Sequence, residues 1–167
     1  MSAPPTFVPI ENFIRDNHCF ACGSKNPFGL HMKLACNGER VASEVMLPGH
    51  LCGWGNLIHG GIITTLLDET MSWAAIHLLK RLILTRTMET EFILPVAPNT
   101  TVRTEGWVDR VVKNTEALVK AALYDENEQL CAQSTGRFAL LSAKMMRRLK
   151  IMDEGTIASF EQHYEQT

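Results

Sequence analysis

The chain of 167 residues has no excess of basic charge, no long apolar run and no leader-like start. Lys and Arg number 16 against 18 Asp and Glu, so it lacks the positive surface with which proteins bind nucleic-acid phosphates. No apolar stretch approaches the roughly 20 residues that span a bilayer. The first five residues show neither the basic nor the apolar part of a signal peptide. We therefore expect a cytoplasmic protein without nucleic-acid or membrane partners.

The five cysteines do not fit a disulfide framework, because their number is odd and no secretion signal is present. Cys19 and Cys22 have the C-x-x-C spacing of a zinc half-site, but no second pair with this spacing follows. A redox C-x-x-C pair would begin a helix after a strand, whereas a turn and a predicted strand follow here. We therefore predict reduced thiols, no metal site and no cofactor. A zinc-dependent module and a redox pair stay open as alternatives.

The hydrophobic pattern changes from strand to helix and back to strand along the chain. One stripe with i, i+3, i+4 spacing predicts a long helix from residue 60 to about residue 79. A short helix is predicted at 153–163. Short runs bounded by turn residues predict strands at 30–36, 41–47, 88–94, 101–112, 115–124 and 129–141. This order indicates an α+β domain with an antiparallel sheet and a helix on one face, whose open edge favours pairing with a second copy.

The start of the predicted helix has the strongest chemical signal in the chain. His59, Gly60 and Gly61 begin it, and Asp68 follows two turns later. Glycines at a helix start let a ligand approach unpaired N–H groups, which together with the helix dipole stabilise negative charge as an oxyanion hole does. A carboxylate within a largely apolar helix is costly to bury unless it is paired. On this ground Asp68 is either a surface residue or a functional one.

This segment resembles the His-Gly-Gly signature of hot-dog-fold acyl-CoA thioesterases of the phenylacetate-pathway (PaaI-like) and 4-hydroxybenzoyl-CoA type. The similarity covers roughly residues 19–141 and includes the acid nine residues after His59 and the strand end at 92–96. The resemblance implies a hot-dog fold, in which an antiparallel sheet of about six strands wraps around one long central helix. The expected division of the chain is a lead-in at 1–18, the hot-dog domain at 19–143 and a basic, helical tail at 144–167.

The resemblance implies hydrolysis of an acyl-CoA thioester to the free acid and CoA. The catalytic carboxylate falls on Asp68, as general base or as nucleophile, and the oxyanion donor falls on the Gly60 N–H. Glu69 follows Asp68 directly, but successive helical residues point about 100° apart, so only one of them faces the glycines. Further residues implied in catalysis or substrate binding are His59, Thr85, Gly61 and Asn56.

In this family the active sites lie between subunits, which agrees with the spacing of the proposed groups. Gly60 and Asp68 are eight residues apart, hence about 12 Å along one helix, so one subunit cannot bring them together. We therefore expect a homodimer or homotetramer with acyl-CoA as its substrate. A non-catalytic acyl-CoA-binding protein and a hot-dog hydratase stay open as alternatives. The basic cluster Lys144, Arg147, Arg148 and Lys150 is either a solvated face or a contact for the CoA phosphates.

Overall fold

The computed structural model of the chain describes residues 6–14 and 17–164. Its centre is one antiparallel sheet with the strand order β1-β2-β3-β5-β6-β7-β4. The strands are β1 (Val8–Pro9), β2 (Leu34–Cys36), β3 (Val41–Leu47), β4 (Leu82–Phe92), β5 (Thr100–Lys113), β6 (Glu116–Tyr124) and β7 (Leu130–Leu141). The predicted α+β class is confirmed. The sheet has seven strands rather than about six, because Val8–Pro9 pairs with β2.

Helix α1 (Gly60–Leu79) packs against β3, β4, β5, β6 and β7 and ends, as predicted, at Leu79. Leu66, Leu67 and Met71 of its apolar stripe are fully buried against the sheet. At Gly106 on β5 an added Cβ would lie 2.8 Å from the Thr70 carbonyl oxygen, so glycine lets the helix approach the strand closely. Within the described residues no helix, α1 included, is long and apolar enough to cross a membrane.

Two predicted strands begin at different residues in the structure. The first, predicted from residue 30, begins at Leu34, because the left-handed φ of 51° at His31 interrupts an extended chain. The third, predicted from residue 88, begins at Leu82. Lys80 has a left-handed φ of 54°, which ends α1 and lets Leu82 pair at once with Leu141 on β7. Residues 82–87 do not alternate in hydrophobicity as residues 88–92 do, so the pattern did not indicate this earlier start.

A second group of helices follows the sheet. The predicted short helix is confirmed as α3 (Glu154–Tyr164), and helix α2 (Ala143–Leu149), which was not predicted, precedes it. Arg147 on α2 makes ion pairs with Glu154 at 2.6 Å and Glu161 at 2.7 Å on α3. This guanidinium therefore holds the two helices together, which favours a structural interpretation of Arg147 over a phosphate contact.

An aromatic cluster joins α3 and the lead-in to α1. The Phe13 ring lies 5.7 Å from that of Trp73 and 5.4 Å from that of Phe160, centroid to centroid, and all three are buried. The Tyr164 ring completes the cluster, with its centroid 5.1 Å from that of Phe160. The Tyr164 hydroxyl and His77 Nδ1 share a 3.0 Å hydrogen bond. Both ends of the described chain thus contribute to the same hydrophobic core as α1.

We expect His77 to make the protein less stable as the pH falls below about 6.5. Burial lowers the pKa of His77, and the charges of Lys80 and His163 act in the same direction. The unfolded chain therefore takes up a proton on this residue at a higher pH than the folded chain does. The contribution of neutral His77 to the free energy of unfolding is present above the pKa of the unfolded chain and is lost below it. Urea unfolding of the wild type and His77→Gln between pH 7.5 and 5.5 measures this. Equal losses of unfolding free energy in the two proteins would contradict the prediction.

Candidate active site

The N-terminus of α1 has the geometry of an anion site. His59 is the N-cap, and its Nδ1 accepts a 2.8 Å hydrogen bond from the Gly61 N–H. Gly60 is the first helical residue, so its N–H has no acceptor within the helix, and no other hydrogen bond from it occurs within residues 6–14 and 17–164. A Cβ at Gly60 would lie 3.3 Å from Phe92 Cζ, so glycine leaves the approach to this N–H open.

Asp68 lies two turns further along α1, with Thr85 of β4 beside it. Thr85 Oγ1 donates a 3.0 Å hydrogen bond to Asp68 Oδ1. A β-bulge between Thr85 and Thr87 shifts the register of β4 at this point, and β4 is an edge strand of the sheet. Partial burial raises the pKa of Asp68 above its usual range, and the hydrogen bond from Thr85 acts against this. The fold thus places Thr85 against one carboxylate oxygen.

Gly60 and Asn56, two other predicted site residues, make no contact with Asp68 through a hydrogen bond within the described part of the chain. Gly60 stays about 12 Å away along the regular helix. Asn56 is exposed in the turn between Cys52 and Ile58, which form an isolated β-bridge. Its side chain makes no hydrogen bond to any other residue of the described ranges. Any site that contains both Asp68 and the helix N-terminus therefore needs a second copy of the chain.

Glu69 points to different neighbours from those of Asp68. Its Oε1 accepts a 2.9 Å hydrogen bond from Trp73 Nε1, and its Oε2 lies 3.7 Å from Cys19 Sγ. Burial raises the pKa of Glu69 to about 7, while hydrogen bonding with Cys22 lowers the pKa of the Cys19 thiol to about 5. The C-x-x-C spacing had indicated Cys19 and Cys22, but nothing in the sequence indicated that Glu69 lies beside them.

Apolar side chains surround the helix N-terminus. A cavity of about 250 Å³ beside Gly60 is lined by residues that include Leu57, Ile63, Phe92, Ile93 and Leu94. Phe92 is 54% exposed and Ile93 is 42% exposed, although both are large and apolar. Trp54 in the preceding loop is 86% exposed. Exposed apolar surface of this kind is typical of a binding groove or of an interface with another chain.

Comparisons with known proteins identify the family and the fold that this chain resembles. Residues 55–132 match the family model of the thioesterase superfamily. A thioesterase superfamily protein of known structure aligns with a TM-score of 0.67 and 20% identity over 74% of this chain, which spans 60% of that protein. The Escherichia coli PaaI protein from the phenylacetic acid degradation operon aligns with a TM-score of 0.62 and 12% identity, over 67% of this chain and 80% of PaaI.

A hypothetical thioesterase of Streptococcus pneumoniae, crystallised with coenzyme A, aligns with a TM-score of 0.57 and 12% identity over 61% of this chain and 81% of its own. No protein of curated function matches significantly. At such identities the structural neighbours establish the fold. The expected hot-dog fold and the resemblance to hot-dog thioesterases are thereby confirmed.

Proposed function

We propose that this protein hydrolyses acyl-CoA thioesters, since residues 55–132 match the thioesterase superfamily model and lie within a hot-dog fold. The observation that carries the proposal is the half-buried Asp68 carboxylate, which Thr85 fixes through one oxygen while the other is free of that bond. On the same helix, the unpaired N–H of Gly60 supplies the donor that an oxyanion requires. A base or nucleophile and an oxyanion donor are the two groups that thioester hydrolysis needs.

In the proposed reaction the thioester carbonyl carbon is attacked in the cleft beside the helix N-terminus. Asp68 either takes a proton from the attacking water or attacks the carbonyl itself, forming an acyl-aspartyl anhydride that water then cleaves. The negative charge that develops on the carbonyl oxygen is stabilised by the Gly60 N–H. In both routes the carbon–sulfur bond breaks when the tetrahedral intermediate collapses, and the CoA thiolate leaves and takes up a proton. In the nucleophilic route this step forms the anhydride and precedes its cleavage by water.

The proposed enzyme is a homodimer or homotetramer in which Asp68 of one copy faces Gly60 of another. The separation of these residues along α1 supports this arrangement, because one chain does not bring them together. The mostly exposed edge strand β4 carries Thr85 and ends at Phe92, beside the apolar cavity, so a copy that packs against this edge covers both parts of the site. We expect the acyl group to occupy that cavity, with His59 holding the turn and Gly61 and Asn56 near the substrate.

The proposal is tested by measuring free-thiol release from short-chain, medium-chain, long-chain and aryl acyl-CoAs. We expect steady turnover of at least one class, with CoA and the free acid formed in equal amounts. If acyl-CoA binds tightly and no thiol is released from any member of the panel, the protein is an acyl-CoA-binding protein and the proposal is wrong.

Thr85 is proposed as a positioning residue for Asp68. The Thr85→Val variant keeps the side-chain shape but removes a hydrogen bond to a charged group. It should therefore lower kcat by roughly tenfold with little change in KM. Thr85→Ser restores the hydroxyl and should recover most of the rate. The measurement is steady-state kinetics of the three proteins on the best substrate of the panel. A Ser variant as slow as the Val variant would show that the hydroxyl has no such role.

A further inference from the structure

Two thiols and a carboxylate converge where the C-x-x-C segment meets α1. Cys19 Sγ, Cys22 Sγ and a Glu69 carboxylate oxygen all lie within 4.8 Å of one another. Zinc binds thiolates at about 2.3 Å, so two thiolates on one tetrahedral ion are about 3.8 Å apart. With a carboxylate oxygen at about 2.1 Å from zinc, a sulfur and an oxygen on one tetrahedral ion are about 3.6 Å apart. The Cys19 Sγ to Glu69 Oε2 distance of 3.7 Å is already close to this value. Small side-chain movements would therefore bring all three atoms onto one ion.

The backbone holds the two thiols together through a tight turn. The Gly23 N–H donates a 2.9 Å hydrogen bond to the Cys19 carbonyl oxygen. A Cβ at Gly23 would lie 2.4 Å from that oxygen and 2.5 Å from the Cys19 nitrogen, distances that real Cβ atoms do not show. Only glycine fits this turn without a shift of the backbone. The fold thus keeps the two sulfurs in a fixed geometry close to Glu69, which lies 50 residues beyond Cys19.

Neutral N–H donors lie beside two of the three ligand groups, the Cys22 thiol and the Glu69 carboxylate. The Asn12 and Asn17 side-chain amides approach Cys22 Sγ at 3.5 and 3.4 Å. The indole of Trp73 donates to Glu69 Oε1 at 2.9 Å, which leaves Oε2 for the Cys19 side. Such donors orient metal-binding groups and stabilise their negative charge. Within residues 6–14 and 17–164 no salt bridge involves Glu69, so no Lys or Arg side chain there competes with a metal ion for its carboxylate.

We propose that Cys19, Cys22 and Glu69 bind a zinc ion, with water as the fourth ligand. Two thiolates and a carboxylate are a ligand set that suits zinc, and zinc binding displaces the thiol protons. A cavity of about 270 Å³, lined in part by Asn12, Cys22 and Trp73, gives water access to the ligands. The ion ties the turn before β2 to α1 one residue beyond Asp68. The thioester step proposed above does not use this ion.

The sequence alone did not predict this site, because a second C-x-x-C pair is absent and the third ligand is distant in the chain. From the sequence, Glu69 was only an alternative to Asp68. The packing of the C-x-x-C turn against α1, which brings Glu69 to the thiols, is a property of the tertiary structure.

Cobalt titration tests the proposal without any measurement of activity. The full-length protein, freed of metal under reducing and anaerobic conditions and with its thiols counted, is titrated with Co²⁺. We expect saturation near one ion per chain, with thiolate charge-transfer absorption and the visible bands of tetrahedral cobalt. We also expect Zn²⁺ to displace the cobalt and to raise Tm. Absence of these bands in the reduced wild-type protein would overturn the proposal, even where no variant folds.

Variants locate the ion. Cys19→Ser and Glu69→Gln should each weaken Co²⁺ binding strongly, and Trp73→Phe should weaken it by about 10–100-fold, because the indole orients the carboxylate. Cys52→Ser is the matched control, since Cys52 lies outside the group, and it should bind cobalt as the wild type does. Equal cobalt binding by Cys19→Ser, Glu69→Gln and Cys52→Ser would place the ion elsewhere and contradict the proposal. The titration is independent of the proposed thioesterase activity, so either proposal can fail alone.

Discussion

The Asp68→Asn variant is expected to hydrolyse acyl-CoA about 10²–10⁴-fold more slowly than the wild type, the contribution typical of a positioned acid or base. Asn has nearly the size of Asp, and its side-chain oxygen can still accept the hydrogen bond of Thr85. It can neither accept the proton of water nor attack a thioester as a carboxylate does. The loss should therefore appear in kcat, while the CD spectrum and the oligomeric state stay unchanged.

The matched control is Asp109→Asn, the same chemical change at a carboxylate on β5 that pairs with Lys120 at 2.8 Å and Arg110 at 3.1 Å. Because this change removes only surface ion pairs, it should leave kcat close to that of the wild type. Thiol-release kinetics on the best substrate compare the three proteins. An Asp68→Asn rate within a factor of about three of the Asp109→Asn rate would remove Asp68 from the mechanism.

The second large effect is expected for Gly60→Pro, which deletes the proposed oxyanion donor. Proline is well tolerated at the first position of a helix, because the N–H that it lacks has no helical acceptor. His59 before it has φ −60° and ψ 133°, a conformation that a following proline allows. The helix should therefore persist while the N–H is lost, and kcat should fall by about 10²–10³-fold.

Gly60→Ala is the control for the added bulk, because its Cβ meets the same end of the Phe92 ring, at 3.3 Å, while the N–H is kept. A small ring movement relieves this contact, so the alanine variant should retain most of the wild-type kcat. If the alanine and proline variants lose activity equally, crowding against Phe92 explains the loss and the N–H has no catalytic role.

Mixed oligomers test whether the site lies between two copies. In a dimer with one Asp68→Asn chain and one Gly60→Pro chain, one site carries both changes and the other carries neither. Co-expressed chains with different tags, purified on both tags, should therefore recover about half of the wild-type activity, although each parent is nearly inactive. Recovery no greater than the average of the two parents would show that Asp68 and Gly60 do not act together across an interface.

Local patterns of the sequence were sufficient for much of the fold. The long helix from Gly60 to Leu79 and the last three strands were predicted to within about one residue of their bounds, because their periodicity and turn residues act over short distances. The start of β4 was wrong by six residues, since it depends on pairing with β7 and not on alternation. Strand β1 exists because β2 offers it a partner, which its own two residues do not indicate.

The candidate site likewise contains residues that the sequence identified and contacts that only the structure showed. The sequence by itself determined His59, Gly60 and Asp68 and their spacing, because a helix converts spacing along the chain into fixed distances. Only the tertiary structure placed Thr85 against Asp68 and Glu69 beside Cys19 and Cys22. These contacts join residues from different elements, and their geometry depends on strand register and on how the lead-in packs against α1. Periodicity within one element carries no information about strand register or about the packing of the lead-in. These contacts therefore follow only from the packed core.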